Sequence, residues 1–412
     1  MQERRRHLLC CGGAAAAGLF SALSSAARAG NLINPCRGAL PAQLREHPLM
    51  QRCWQGIDAT QLWDVHAHLL GTGDSGSGCR IDARMTQWWH PMESVRRKVI
   101  LAGACVPADA PSVDKAYLQR LQQLAADFPQ GARWMLYAFD EALDETSCPR
   151  PEWTSFHVPD RYAAAVAAAT PQRFAWVCSV HPYREDALAR LDAAIQAGAV
   201  ALKWLPSSMN IDLRDARLRP FYDRLAQARL PLIIHCGEER AVPGAGRSEL
   251  GNPLLARLPL SHGVRVIMAH CASLGDALDL DQARPRLVSA FSLFDRLMDE
   301  PAWKDLLLGD VSALFQFNRR PEVWQTVLKR QDWHARLLHG SDYPLPGVGP
   351  LYRLGGLVSA GLLAEADRSP LERLREHNPL LFDLALKRVV RWQGQSLLPQ
   401  VFATRRHFAS VA

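Results

Sequence analysis

From residue 130 onward the chain repeats one pattern, a short apolar run followed by a segment with apolar residues at helical spacing. The runs are 133–139, 174–180, 199–205, 231–236, 264–271, 306–311 and 336–340. Short apolar runs of this kind suit strands buried on both faces, as in a parallel sheet whose crossover helices cover it. The segments between them, such as 186–197, 216–228 and 321–329, are expected to be those helices. Upstream, 61–68 supplies one more strand, and eight strands each followed by a helix predict a closed α/β fold, the (β/α)8 TIM barrel. Segment 98–106 competes for a strand's place. Val95, Val99, Ala102 and Val106 recur at helical spacing, so it is read as helix. That leaves 71–91, with glycines at 71, 73, 76 and 78, as a long loop after the first strand, expected to be functional or mobile.

The chain has 412 residues, 48% of them apolar and 22% charged, enough for a sizeable core and unlike a disordered chain. The barrel is expected over 61–392, preceded by an irregular lead-in at 30–60 and followed by an extension at 393–412. A closing helix is expected at 373–391. Residues 1–29 read as a cleaved export signal: Arg4-Arg5-Arg6, an apolar stretch at 8–23 too short for a stable span, then Ala27-Arg28-Ala29. Arginines directly before the apolar run resemble a twin-arginine signal, which carries folded proteins. A periplasmic protein without a stable membrane anchor is the expectation. Without those residues the formal charge falls from +7 to +4, and no run of like charges remains to attract nucleic acid.

Ten cysteines become eight on processing, in a compartment that allows disulfides. Cys178, Cys236 and Cys271 lie in or just after apolar runs and are expected to be buried thiols, whereas Cys36, Cys53, Cys79 and Cys148 are the better disulfide candidates. No C-x-x-C pair exists, which argues against a thiolate zinc site.

The chemistry concentrates at strand ends. In Trp63-Asp64-Val65-His66-Ala67-His68 the two histidines are two residues apart, so on a strand they face one side and can chelate one cation. His235 and His270 each close an apolar run, and Asp342 follows the last one. Barrel enzymes carry their chemistry at that rim.

This ordered set resembles the amidohydrolase superfamily, in its branch of aminocarboxymuconate-semialdehyde-decarboxylase-like barrels. The resemblance rests on Asp64 to His68, Ile233-Ile234-His235, Met268-Ala269-His270, Gly340-Ser341-Asp342-Tyr343-Pro344 and His377 to Phe382. It implies that His66, His68, His235 and Asp342 bind a divalent metal, with zinc suited to such ligands, and that His270 binds a second ion or contacts a small-molecule substrate. It also implies a metal-dependent hydrolase, in which Asp342 takes the proton of a water attacking an amide, lactone or ester. Lys203, on the fourth strand, would bridge two ions if carboxylated; the favoured expectation is a protonated Lys203 paired with a carboxylate of the protein or of the substrate.

His181, Glu238, Glu239 and Arg240 follow strands three and five and are expected to be solvated loop residues, with pocket lining the alternative. Trp88, Trp89 and His90 end the long loop as an aromatic wall or as local core. His157, His262 and His334 receive no role. A non-oxidative decarboxylase on the same metal site is the first competing reading. A TatD-like phosphodiesterase or nuclease is the second, opposed by Lys203 and by the lack of basic runs. A non-catalytic binding protein is the third, opposed by the complete ligand set.

Overall fold

The computed structural model describes residues 34–107 and 109–408, so the export signal read at 1–29 lies outside the described residues. Eight parallel strands stand where the apolar runs predict them: β1 Trp63–His68, β2 Arg133–Tyr137, β3 Phe174–Val177, β4 Leu202–Trp204, β5 Leu232–His235, β6 Val266–Ala269, β7 Leu307–Asp310 and β8 Leu337–Leu338. The first three pair in order, and the other five form a second sheet in the order β8-β7-β6-β5-β4. Two seams close the ring into a (β/α)8 barrel. Cys178 bridges to Leu202, joining β3 to β4, and the Val65 N–H donates to His339 O at 3.0 Å beside β8.

The competing segment 98–106 lies mostly in a helix, Pro91–Gly103. Helices Ala187–Gln196 and Pro321–Lys329 match their expected spans. The closing helix differs, being two helices, Glu365–His377 and Pro379–Val389. Pro379 has no N–H to continue the first of them, and Asn378 Oδ1 instead caps the second by accepting from the N–H groups of Leu380 and Leu381, both at 3.1 Å. The lead-in also differs, since it holds two short helices, Ala42–Arg45 and Pro48–Trp54. They bury Leu44, Leu49, Met50 and Cys53, a pattern too brief to show a period.

The barrel interior is packed by alternate strand residues, among them Val65, Met135, Val177, Ile233, Ile267 and Leu308. Its floor comes from the C-terminal extension. Phe408 stacks on Trp63 with ring centroids 6.1 Å apart, and Thr404 Oγ1 accepts from the Trp63 N–H at 2.8 Å. Phe408→Ala is expected to cost about 3–5 kcal/mol in urea unfolding, as buried aromatic truncations do. A loss below about 1 kcal/mol would show that the plug does not support the barrel.

Cys36 is bonded to Cys105 with Cα atoms 5.5 Å apart, tying the lead-in to the second residue beyond helix Pro91–Gly103. Cys105 was the partner that sequence pattern concealed, because it follows an apolar helical stretch. Contrary to expectation Cys53 and Cys79 are buried free thiols and Cys148 is an exposed one, while Cys178, Cys236 and Cys271 are buried thiols as expected. The glycine-rich loop wraps one buried carboxylate. Asp114 accepts from Thr72 N at 2.6 Å, Ser75 Oγ at 2.8 Å and Ser77 Oγ at 2.7 Å. Among the described residues no helix is long and apolar enough to cross a membrane.

Candidate metal centre

Simple alternation along β1 would not place Val65, His66 and His68 all inside the barrel. The β1–β2 ladder changes register instead: Asp64 faces Trp134, whereas Ala67 faces Leu136. This bulge adds one residue to β1, so Val65 fills the core below and both histidines still turn inward. The His66 N–H finds its acceptor in Asp64 Oδ1 at 3.1 Å, and the same oxygen accepts from Ser341 N at 2.8 Å. Burial pushes the Asp64 carboxyl up to about 6. Glycine is required at position 340, where a Cβ would sit 2.7 Å from that of His66.

Asp342 is the meeting point. Its Oδ1 lies 3.1 Å from His68 Nε2 and 3.5 Å from His66 Nε2, and its Oδ2 lies 3.8 Å from His270 Nε2. Ligand atoms of His66, His68 and Asp342 all fall within 4.8 Å of one another. His235 stands beside them, its ring centroid 5.3 Å from that of His270. The opposite ring nitrogens are held from outside: His66 Nδ1 by Asp310 Oδ2 at 3.0 Å, His270 Nδ1 by Ser312 Oγ at 2.7 Å and His235 Nδ1 by Glu239 Oε2 at 3.2 Å. With the proton on Nδ1 facing a carboxylate, the Nε2 lone pairs of His66 and His235 are free for a cation, whereas the Ser312 hydroxyl can donate to His270 Nδ1. Burial holds the pKa of His66 and His270 well below the ordinary value and lowers that of His235, so all three stay neutral, the form that binds metal.

Two observations test whether a divalent ion fits. His235 Nε2 is buried without a hydrogen-bond partner, a costly arrangement that a cation would relieve. The donors are imidazole nitrogen and carboxylate oxygen, the set that zinc and related divalent ions take. Backbone strain gathers here as well. His270, Cys271 and Ala272 run consecutively at φ near +50°, and Asp342 has φ 59°. Non-glycine residues in that region cost about 1–3 kcal/mol each and persist where the surroundings hold them. Asp310 holds the His270 N–H at 3.1 Å, and His66 O holds the Asp342 N–H at 2.7 Å.

Asp310 was missed in the sequence, although it closes an apolar run as His235 and His270 do. It forms a second cluster with His66 and His270. Its oxygens are already occupied, by His66 Nδ1, His270 N and Ser312 N, so it serves as an orienting carboxylate rather than a ligand. Asp310→Asn is expected to weaken metal affinity about 10- to 100-fold, as loss of a carboxylate behind a ligating histidine does. Chelator competition measures it, and unchanged affinity would remove the orienting role.

Lys203 lies at the base of the same cavity. No carboxylate of the protein pairs with it: among the described residues Nζ has no hydrogen bond, and it sits 5.2 Å from the Tyr137 ring centroid. Burial pushes its pKa down to about 8, opposed by the charges of Asp310 and Asp342. His181 is also not solvated, since it is buried with Nε2 against Met209 O at 2.8 Å. Glu239 is not a free loop residue either; it lines the cavity with Glu238 and Arg240 and contacts His235. Trp88 and Trp89 form neither wall nor core, being 84% and 58% exposed. The cavity measures about 260 Å³, with apolar walls from Val95, Val99, Phe139 and Phe317 above the polar base.

The sequence profile of the amidohydrolase family matches residues 63–380. No curated protein matches the sequence. Among solved structures, a TIM-barrel protein from Bordetella bronchiseptica is 16% identical with a TM-score of 0.47, covering 76% of this chain and 99% of its own. The 4-oxalomesaconate hydratase of Rhodopseudomonas palustris is 12% identical with a TM-score of 0.39, covering 85% and 96%. The 5-carboxyvanillate decarboxylase of Sphingomonas paucimobilis is 11% identical with a TM-score of 0.40, covering 76% and 98%.

Proposed function

The chain belongs to the amidohydrolase family of metal-dependent enzymes, and from that premise we propose that it is a hydrolase acting on a small amide, lactone or ester. The observation that carries this reading is the convergence of three histidine Nε2 atoms on the two oxygens of Asp342, with each Nδ1 of His66, His235 and His270 held from behind. His66, His68, His235 and Asp342 would hold one zinc ion. When bound, zinc supplies Lewis acidity, which brings a water's pKa to about 7 and polarises a carbonyl.

The remaining work belongs to the chain's own groups. Burial raises the Asp342 carboxyl, with the His68 hydrogen bond opposing, which suits a base that must accept a proton and release it. His270, fixed by its strained backbone and with Nδ1 accepting from Ser312 Oγ, would carry its proton on Nε2 and donate it to the negative charge developing on the substrate oxygen. Lys203 remains an ammonium that balances Asp310 and Asp342, so one ion suffices. Periplasmic export by the twin-arginine route stays part of this proposal, as it would let the site be loaded before translocation.

His270→Asn tests the division of labour. The variant is expected to keep its ion by elemental analysis while turnover of a lactone, ester or amide falls about 100-fold, the effect of losing roughly 3 kcal/mol of transition-state stabilisation. Loss of the ion together with activity would instead make His270 a ligand. Decarboxylation on the same site is separated by its product, carbon dioxide without uptake of water.

A further inference from the structure

Arg319 is a cation that the reaction described above does not use. It lines the cavity from the loop after β7, together with His66, His68, His270 and Asp342. Its hydrogen bonds go to neutral oxygens, from Nε to Ser273 Oγ at 2.8 Å and from Nη1 to Asn318 Oδ1 at 2.7 Å. Among the described residues no carboxylate pairs with it and Nη2 has no partner. The other cavity arginines differ, Arg240 being matched by Glu238 at 2.9 Å and Arg96 by Glu93 at 3.8 Å, while Lys203 lies at the cavity base.

The acids facing Arg319 are already committed. Asp342 is engaged by His66 and His68, while Glu239 accepts from the N–H groups of Ala241 and Val242 and contacts His235. Burial pushes the Arg319 pKa down to about 10, with Asp342 opposing, so the guanidinium remains charged at neutral pH. A half-buried charge without a counter-ion is costly, and the planar fork of an arginine matches a carboxylate with two parallel hydrogen bonds. Two neutral acceptors hold the fork in place and leave one arm open toward the cavity.

We propose that Arg319 anchors a carboxylate carried by the substrate at a point away from its reacting carbonyl, with an apolar body lying against Val95, Val99, Phe139 and Phe317. The substrate class is therefore a carboxylic acid that also bears the hydrolysable bond. This inference rests on the hydrolase reading only for the bond cleaved; the anchor itself is a property of the cavity.

Phenylacetate and phenylacetamide are the probes, alike in shape and differing in charge. Calorimetric titration of the zinc-loaded protein is expected to show phenylacetate binding at least about tenfold tighter than the amide, the strength of a charge-assisted hydrogen bond. Arg319→Gln should erase that preference while leaving amide affinity and zinc content unchanged, and Arg319→Lys should retain part of it. Equal affinity of Arg319→Gln and wild type for phenylacetate would assign the carboxylate to the metal and overturn the proposal. An equal loss for both probes, or no preference in the wild type, would overturn it too. Should Arg319→Gln not fold, the two probes are compared on wild-type protein stripped of metal, where a retained preference supports the anchor and a vanished one overturns it. If the acid preference holds but no ester, lactone or amide is cleaved, the anchor stands and the hydrolase reading falls. If neutral substrates are cleaved as well as their carboxylated analogues, the reverse is true.

Discussion

Replacing His66 and His68 together by alanine is expected to leave the protein folded but nearly free of metal, whereas the wild type carries about one divalent ion per chain. Both side chains face Asp342 from the bulged end of β1, a strand held on both sides. Structural zinc sites bind with about 10–16 kcal/mol at neutral pH, so losing two ligands from a site of this size removes most of that energy. The fold should tolerate the change better than the site does, because the apolar packing of the barrel interior lies below these rings and excludes them. Elemental analysis after dialysis gives the metal content, and circular dichroism reports the fold. A full load in the double variant would place the ion elsewhere.

Asp342→Asn should separate metal binding from chemistry. The amide keeps the shape and one ligating oxygen, so much of the ion should remain, but it cannot take a proton at neutral pH. Turnover is expected to fall by about two or more orders of magnitude, in kcat more than in KM, because the loss concerns a step in the transition state. The left-handed backbone at position 342 favours this substitution over others, since asparagine adopts that region more readily than most residues. Steady-state kinetics on metal-matched samples measure the effect. Wild-type turnover in a metal-loaded Asp342→Asn protein would remove Asp342 as the base.

The barrel was legible because its strands are buried on both faces and therefore read as unbroken apolar runs, which few other folds require eight times in succession. The histidines at 66, 68, 235 and 270 and Asp342 were legible for a related reason, as polar residues that end such runs where the rim begins. Asp310 obeys the same rule and was passed over because no metal-ligand spacing drew attention to Gly309-Asp310-Val311. The bulge in β1 was not legible. Its sign is a change of pairing partner on β2, a relation between strands that one sequence does not display. Glu239 and Arg319 belong to loops, whose route over the barrel mouth is set by tertiary contacts such as Glu239 with the backbone of Ala241 and Val242. The Cys36–Cys105 bond was hidden likewise, since connectivity depends on where the lead-in packs and not on spacing. Sequence pattern thus revealed which residues reach the rim, but not what holds them there.

If metal and chain together direct water onto a carbonyl, the oxygen of that water must appear in the product. Turnover of a panel of lactones, esters and amides, with and without a carboxylate, in water enriched with heavy oxygen follows it. One heavy oxygen is expected in the acid product of each turnover, with formation of that product abolished by chelation and restored by zinc, and none above background from Asp342→Asn. Product formed at the full rate after the metal is stripped, or carbon dioxide released without any heavy oxygen in the organic product, would contradict hydrolysis at this site.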